Sequence, residues 1–535
     1  MANPLERIPI IGKYFREPGK ARVYQSLGSI RRRAKFLFFP LRAFFRAVAR
    51  TQHSEIQAIG LENIPPDGAV FLVGNHPNSY LDFLNLATVV RHPIATAAKD
   101  TITRTPFVGG FLRDYALLVP VSRAQDKDES GVSEADRVAA NEQMVKEAVD
   151  LLVSGRLFNI YAEGRSTDSR RLNKIKLGFM MLAIEAERQF NFELNLRIVP
   201  YGYFYDRINK FQSLVCIIFG KPFKIKHLVT LPDDFLRLTE KEQQAIEKKL
   251  LTEGKERLKS DIEELIISIH DPALVNLIDG LTAIYCLSPV KYMNQYENIR
   301  EKYVLCKAVA EAVQNAAKSE RGAQAVEKLR ELLRTYQNTL ERSGLPDAVV
   351  RREYTMASLG FHLKAMFMGA VFFPLVAFGY LANFIPRQAA RFMRYYVIHR
   401  QKRPLVDGDE NSILAAAGAA ALLYPAYFFT TVWLMLQGGV STLHDFLAAS
   451  TYLKSLAPLV AGSPGWSSAI AASLVVYLAA RLWRFSLFHG GRLRAAFRFV
   501  FDVCAEPFLR RRLSILRAQR AELIDQADFI IGDYH

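Results

Sequence analysis

Apolar and polar positions follow two rhythms in the first half of this chain. Short apolar runs at 69–73, 93–97, 116–121, 157–162, 196–204 and 214–219 have the length of strands. Between them, 79–91, 134–154 and 175–190 carry the patterning of helices. Alternation of this kind predicts an α/β sandwich built on a mostly parallel sheet. Polar residues at the strand ends of such a sheet fall along one edge, where ligands are bound.

The pattern changes after residue 232. From 233 to 345 it is helical and strongly charged, with apolar residues three and four apart in 238–251 and 323–333. A helical domain is expected here, covering the edge of the sheet or serving only as scaffold. Three uncharged apolar segments follow, at 365–386, 411–443 and 455–480, each of membrane-spanning length. Arg387, Arg391, Arg394, Arg400, Lys402 and Arg403 crowd the connection after the first, and Arg481, Arg484, Arg492, Arg494 and Arg498 the tail after the third. The positive-inside rule then makes 411–443 and 455–480 a spanning hairpin with both ends in the cytoplasm. Pro374 and Asn383 interrupt 365–386, which reads as re-entrant or interfacial, with a three-span topology as the alternative.

Charge sharpens this picture. The 535 residues carry a formal net charge of +17, which directs attention to anionic partners. No nucleic-acid motif is present, and the basic residues lie beside apolar ones, so anionic membrane lipid is the expected partner and nucleic acid is not. In residues 1–50, twelve Lys/Arg stand against two acids, and 31–50 interleaves Arg with Phe and Leu. That is the composition of an interfacial helix, although a helix packed on its own domain with a solvated basic face would read the same way. Cys216, Cys286, Cys306 and Cys504 have no metal-ligand spacing, so no metal site is expected.

The chemistry concentrates in Gly74-Asn75-His76-Pro77-Asn78-Ser79-Tyr80-Leu81-Asp82, between the apolar run 69–73 and the helix pattern that follows. A histidine at a strand end with a carboxylate in the next helical turn can form a general base and the group that orients it. Asp82 could equally cap the helix, since Ser79-x-x-Asp82 resembles a capping box. Three further blocks follow: Gly109 to Arg123, Phe158 to Ser166 and Arg197 to Gly202.

These four ordered blocks, within about residues 55–226, resemble the motifs of the glycerolipid acyltransferases, the phosphate acyltransferases of phospholipid synthesis. The usual motif places four residues between His and Asp, whereas five intervene here, Pro77 to Leu81. In the third block Ala162 stands where the family has Pro, and Arg165 comes one place early. The longer spacing is similar to the fungal-type glycerol-3-phosphate/dihydroxyacetone-phosphate acyltransferases and their bacterial relatives.

The resemblance implies His76 as general base and Asp82 as its orienting partner. It implies a phosphorylated glycerol acceptor held by candidates Lys99, Arg113, Arg123 and Arg165, with Glu163 serving acceptor binding or site architecture and Gly164 allowing close backbone approach. The acyl donor would be acyl-CoA or acyl carrier protein as co-substrate, with no cofactor. Lys174 and Lys176 could assist a phosphate or simply begin a helix. The chain then divides into a basic amphipathic membrane-interface segment (1–54), an acyltransferase catalytic domain (55–232), a helical domain (233–350), membrane segments (351–490) and a basic cytoplasmic tail (491–535). The catalytic domain is expected on the cytoplasmic face of a membrane. A lysophosphatidate acceptor is the alternative, and an inactive membrane scaffold or transporter a more distant one.

Overall fold

The computed structural model describes residues 27–99, 109–110, 113, 116–121, 134–153, 156–166, 170–208, 213–232, 235–286, 299–345, 347–350, 356–402, 405–439, 441, 445, 448–449 and 464–534. Contacts divide the chain into two compact units. One takes in the described residues up to Asp279 and those of Asn298–Asn315; the other takes in those of Gly280–Glu297 and Ala316–Tyr534.

The first unit is an α/β sandwich. Its elements are α1 (Leu27–Gln52), β1 (His53–Ile59), β2 (Val70–Gly74), α2 (Ser79–Val89), β3 (Ile94–Lys99), β4 (Leu118–Val121), α3 (Glu134–Val153), β5 (Leu157–Tyr161), α4 (Gly178–Arg188), β6 (Arg197–Tyr205) and β7 (Ser213–Phe219). The sheet order is β1-β7-β6-β2-β5-β3-β4, parallel throughout except for the β6–β7 pair. Both faces are covered, so the interior strands β2 and β7 are wholly buried, as continuous apolar runs require.

Alternation along the strands sorts two cores. Phe71, Val73, Phe158 and Ile198 join α3 and α4 on one face. Val70, Leu72, Tyr161, Val199, Tyr201, Tyr203 and Tyr205 pack with Leu86 and Val90 on the other. Strand β1, His-Ser-Glu-Ile-Gln-Ala-Ile, was outside the expected strands; it has no continuous apolar run and pairs only at the sheet edge, with β7. Helix α1 lies partly on the sandwich: Phe45 and Ala49 are buried, Phe45 meets Phe83 edge-on at 5.6 Å, and Arg42 donates to the carbonyls of Ala87 and Thr88 at the end of α2.

Much of the charged helical stretch is built into this same unit. Helix α5 (Glu240–Leu265) opens with a Thr239–Glu242 capping box. After it, Ile266 packs where a Cβ on Gly202 would sit, 2.5 Å away. Helix α6 (Pro272–Cys286), of which Pro272–Asp279 belong to this unit, follows, and then α7 (Ile299–Ala316), whose Tyr303 donates to Leu265 O at 2.9 Å and whose Lys302 pairs with Asp206 at 3.8 Å.

Among the described residues the second unit is helical: the end of α6 from Gly280, α8 (Glu320–Ser343), α9 (Asp347–Val350), α10 (Met356–Val371), α11 (Phe373–Ala382), α12 (Phe384–Tyr395), α13 (Leu405–Leu434) and α14 (Pro464–Tyr534). The expected re-entrant segment 365–386 is broken at Phe372 and Asn383, which leave the helical path between α10, α11 and α12. Within α13 and the π-turn after it, Gly418–Gln437 is long and apolar enough to cross a membrane. Residues 450–463, where the second expected span begins, lie outside the described residues; Ser468–Ala479 in α14 is a shorter apolar stretch.

Candidate active site

Strands β2 and β5 are neighbours, with Gly74 opposite Tyr161. His76 and Glu163 are therefore each two residues past a paired strand end, on one edge of the sheet. Gly74 must be glycine, because a Cβ there would fall 2.4 Å from the Tyr201 ring. From it the chain passes through Asn75, whose side-chain oxygen accepts from Tyr203 N at 2.9 Å, and reaches His76.

The His76 side chain keeps 17% of its surface exposed, while that of Asp82 keeps none. His76 Nδ1 lies 2.8 Å from Asp82 Oδ2. An ionised carboxylate only accepts, so the imidazole proton sits on Nδ1 and Nε2 presents its lone pair. The ring stacks on Tyr161 with centroids 3.8 Å apart and planes 8° from parallel. Two further donors stabilise the buried carboxylate: Asn78 N at 2.7 Å to Oδ2 and Tyr205 O–H at 2.5 Å to Oδ1. Asp82 thus both holds the helix start and orients the histidine. Burial, reinforced by the charge of Asp82, pushes the Tyr161 phenol well above its usual range and does the same for Tyr205, so both stay protonated.

Glu163 is buried and its oxygens face backbone and amide donors. Oε1 accepts from His76 N at 2.9 Å; Oε2 accepts from Asn173 N at 3.1 Å and from the Asn173 side-chain amide. The next residue, Gly164, has φ +68°, a conformation that a side chain would strain. Arg165 is exposed, and Ser166 Oγ accepts from Ser79 N at 2.8 Å, tying this turn to the start of α2. Lys99 ends β3, which runs parallel to β5 and so reaches the same sheet edge. Arg113 is helical and exposed, ahead of β4, and Arg123 lies outside the described residues. The structure therefore brings His76, Asp82, Glu163, Gly164 and Arg165 to one locality, with Lys99 along the same edge.

A cleft opens beside Asn75 and Pro77, the residues that flank His76, and its lining includes the polar Glu163, Arg170 and Arg171 and the apolar Phe204, Ile208, Ile266 and Ile267. Arg170 is anchored by Asp279 at 2.8 Å and by Asp206 O at 3.2 Å. Sequence reasoning missed Arg170, Arg171 and the tyrosines. The tyrosines left a trace: Tyr201, Tyr203 and Tyr205 recur every second residue, so one strand face carries all three.

No curated protein matches the chain. Among solved structures it is similar to the 1-acyl-sn-glycerophosphate (LPA) acyltransferase PlsC from Thermotoga maritima, at 18% identity, over 47% of this chain and 87% of that one, with a TM-score of 0.28. Residues 55–203, the stretch that holds His76, Asp82 and Glu163, match the family model described as acyltransferase, and the chain carries an acyltransferase domain there.

Proposed function

We propose that this protein is a membrane-associated O-acyltransferase that moves a fatty acyl group from acyl-CoA or acyl carrier protein to glycerol 3-phosphate or dihydroxyacetone phosphate, on the route to phosphatidic acid. The observation that carries this reading is the His76–Asp82 pair at 2.8 Å, with Nε2 left as a base at the rim of an acyltransferase domain. Nε2 takes the proton of the acceptor hydroxyl as its oxygen attacks the thioester carbonyl carbon. The tetrahedral intermediate then collapses, the C–S bond breaks, and the leaving thiolate recovers that proton from His76. The substrate oxygen plays the part that serine plays in a triad, so no acyl-enzyme is required.

The acceptor's phosphate needs charge-assisted donors. Lys99, Arg113, Arg123 and Arg165 are proposed for that role, and Arg170 and Arg171 join them because they line the cleft. The apolar wall of Phe204, Ile208, Ile266 and Ile267 favours a second reading, in which the acceptor is lysophosphatidate and its chain lies there. Membrane association is supported by the Gly418–Gln437 stretch and by exposed Leu422, Phe429 and Trp433 around it. The basic connection at 387–403 suits anionic lipid on the cytoplasmic side.

The test is radiolabelled acyl transfer by the full chain in detergent or vesicles, with acyl-CoA and acyl carrier protein each offered against glycerol 3-phosphate, dihydroxyacetone phosphate and lysophosphatidate. Incorporation into the first two supports the reading, and incorporation confined to lysophosphatidate supports the second. His76→Ala is expected to lower kcat by about 10²–10⁴-fold; full activity in that variant removes the mechanism.

A further inference from the structure

We propose that Tyr205 and, behind it, Asn85 are positioning residues for the His76–Asp82 pair, members of a buried hydrogen-bond chain between Ser213 and His76 in which Asn85 is the branch point that donates in both directions. The inference rests on the acyl-transfer reading for its kinetic consequence, and on geometry alone for the chain itself.

The chain crosses four elements. Ser213 and His53 open β7 and β1 and are register partners, with His53 Nδ1 2.8 Å from Ser213 Oγ. His53 Nε2 is 3.2 Å from Asn85 Nδ2, and the same amide nitrogen is 3.0 Å from Tyr205 Oη. Tyr205 Oη is 2.5 Å from Asp82 Oδ1, and Asp82 Oδ2 is 2.8 Å from His76 Nδ1. Asn85 and Asp82 are three residues apart and share a face of α2. Ser213, His53, Asn85, Tyr205 and Asp82 are all buried, so no water need be invoked.

The directions of these bonds follow from the donors available. An amide nitrogen has two hydrogens and no lone pair to offer. Asn85 spends one on Tyr205 Oη and the other on His53 Nε2. His53 Nε2 is then an acceptor, its proton is on Nδ1, and that proton goes to Ser213. Burial pushes His53 down to about 3, so the ring stays neutral near neutral pH and the Asn85 donor sets its tautomer. Tyr205, its oxygen already receiving a hydrogen, can aim its own only at Asp82 Oδ1. Asn85 thereby sets the Tyr205 rotor, and Tyr205 sets the plane of the carboxylate that aims His76.

Packing alone gives a poor account of Asn85. Its amide oxygen is buried with no partner among the described residues, a cost that an apolar side chain of similar size would not carry. A buried donor retained at that cost is expected where its orientation matters.

Tyr205→Phe keeps the ring and removes only the donor. The charge of Asp82 is then less dispersed and the imidazolium is favoured, so the acidic limb of the kcat–pH profile should move to higher pH. The other groups around the pair are unchanged in this variant: Tyr161 from β5, Tyr201 and Tyr203 from β6, and Glu163 and Arg165 from the turn after β5. kcat should fall by roughly 10- to 100-fold, in line with loss of a bond to a charged group, while the acceptor KM changes less than about twofold. Asn85→Ala should give a smaller shift of the same sign, and the double variant should be no worse than Tyr205→Phe alone, because Asn85 acts through Tyr205.

The ¹⁵N shifts of the His76 ring against pH, recorded in parent and variants, read the same displacement without turnover. A displaced titration in a parent that transfers no acyl group would overturn the proposed function and uphold the chain. An active parent whose variants lose thermal stability but keep the limb and the ring titration in place would overturn the chain. So would Asn85→Ala and Tyr205→Phe effects that simply multiply.

Discussion

At the scale of single residues, the roles of Asp82 and Glu163 are separable by what each side chain touches. Asp82 touches the ring of His76, and Glu163 touches its backbone. Asp82→Asn keeps the shape but can offer an N–H to Nδ1, which favours the opposite tautomer and takes the lone pair from Nε2. The expected loss in kcat approaches that of His76→Ala, with the fold intact by circular dichroism. Glu163→Ala should behave differently. It leaves the N–H groups of His76 and Asn173 facing an empty buried space, at a cost of about 1–3 kcal/mol. Thermal unfolding should record that loss, and kcat should fall because the loop carrying His76 is no longer held. An unchanged melting temperature with a large rise in the acceptor KM would show instead that Glu163 meets the acceptor directly.

At the scale of elements, α4 and α5 meet through an acidic cluster that makes a pH-dependent weak point. Glu247 on α5 is buried, and burial is the main reason its carboxyl is pushed up to about 7; Arg188, at 3.9 Å, only partly counters this, and Glu185 adds to it. The folded state thus prefers Glu247 protonated, relative to an ordinary value near 4.5. Stability from this group is fully present below about pH 4.5 and is lost as pH rises through about 7. Glu247→Gln should raise the melting temperature at pH 8 and flatten its fall between pH 5 and 7. Thermal scans across that range check it, at roughly 2–4 °C per kcal/mol for a unit of this size. Equal curves for parent and variant would place the charge in water rather than between the helices.

The elements also show why some of the protein could be read from its sequence. Strands at 69–73 and 157–162 are central and parallel, so their burial writes an unbroken apolar run, and His76 and Glu163 stand out at its end. β1 is an edge strand whose outer positions are polar, and the run disappears. Asn85 and His53 looked like ordinary positions in an amphipathic helix and a polar stretch. Their importance comes from the sheet order, which sets β1 and β7 side by side across a long sequence separation, and no local pattern encodes that. Arg170 and Arg171 lie outside regular elements, where periodicity carries no information.

At the scale of the whole molecule, the second unit exposes a quantity of apolar surface that water alone would not favour. Phe367, Val371, Phe373 and Leu381 on α10 and α11, and Leu422 and Phe429 on α13, are all exposed. At the junction of α11 and α12, Asn383 makes the opposite choice and is buried. Its amide donates to Gly379 O at 3.0 Å and to Ala479 O at 2.8 Å, while its oxygen accepts from Tyr424 O–H at 2.8 Å. One polar side chain thus joins α11, α13 and α14 inside an apolar helical unit, and every one of its bonds is satisfied. If lipid surrounds this unit, no water is at hand to replace those partners. Asn383→Ala should then cost about 1–2 kcal/mol, seen as a lower unfolding temperature in detergent or vesicles. The His76–Asp82 chemistry of the other unit, assayed below that temperature, should be retained. Membrane attachment is measured on the same preparation: vesicles that hold the chain through high salt and release it only to detergent put the exposed Phe and Leu side chains in the acyl layer. Release by salt alone would leave only the basic residues in contact with headgroups, and Asn383→Ala would then cost little, because water would supply the missing bonds.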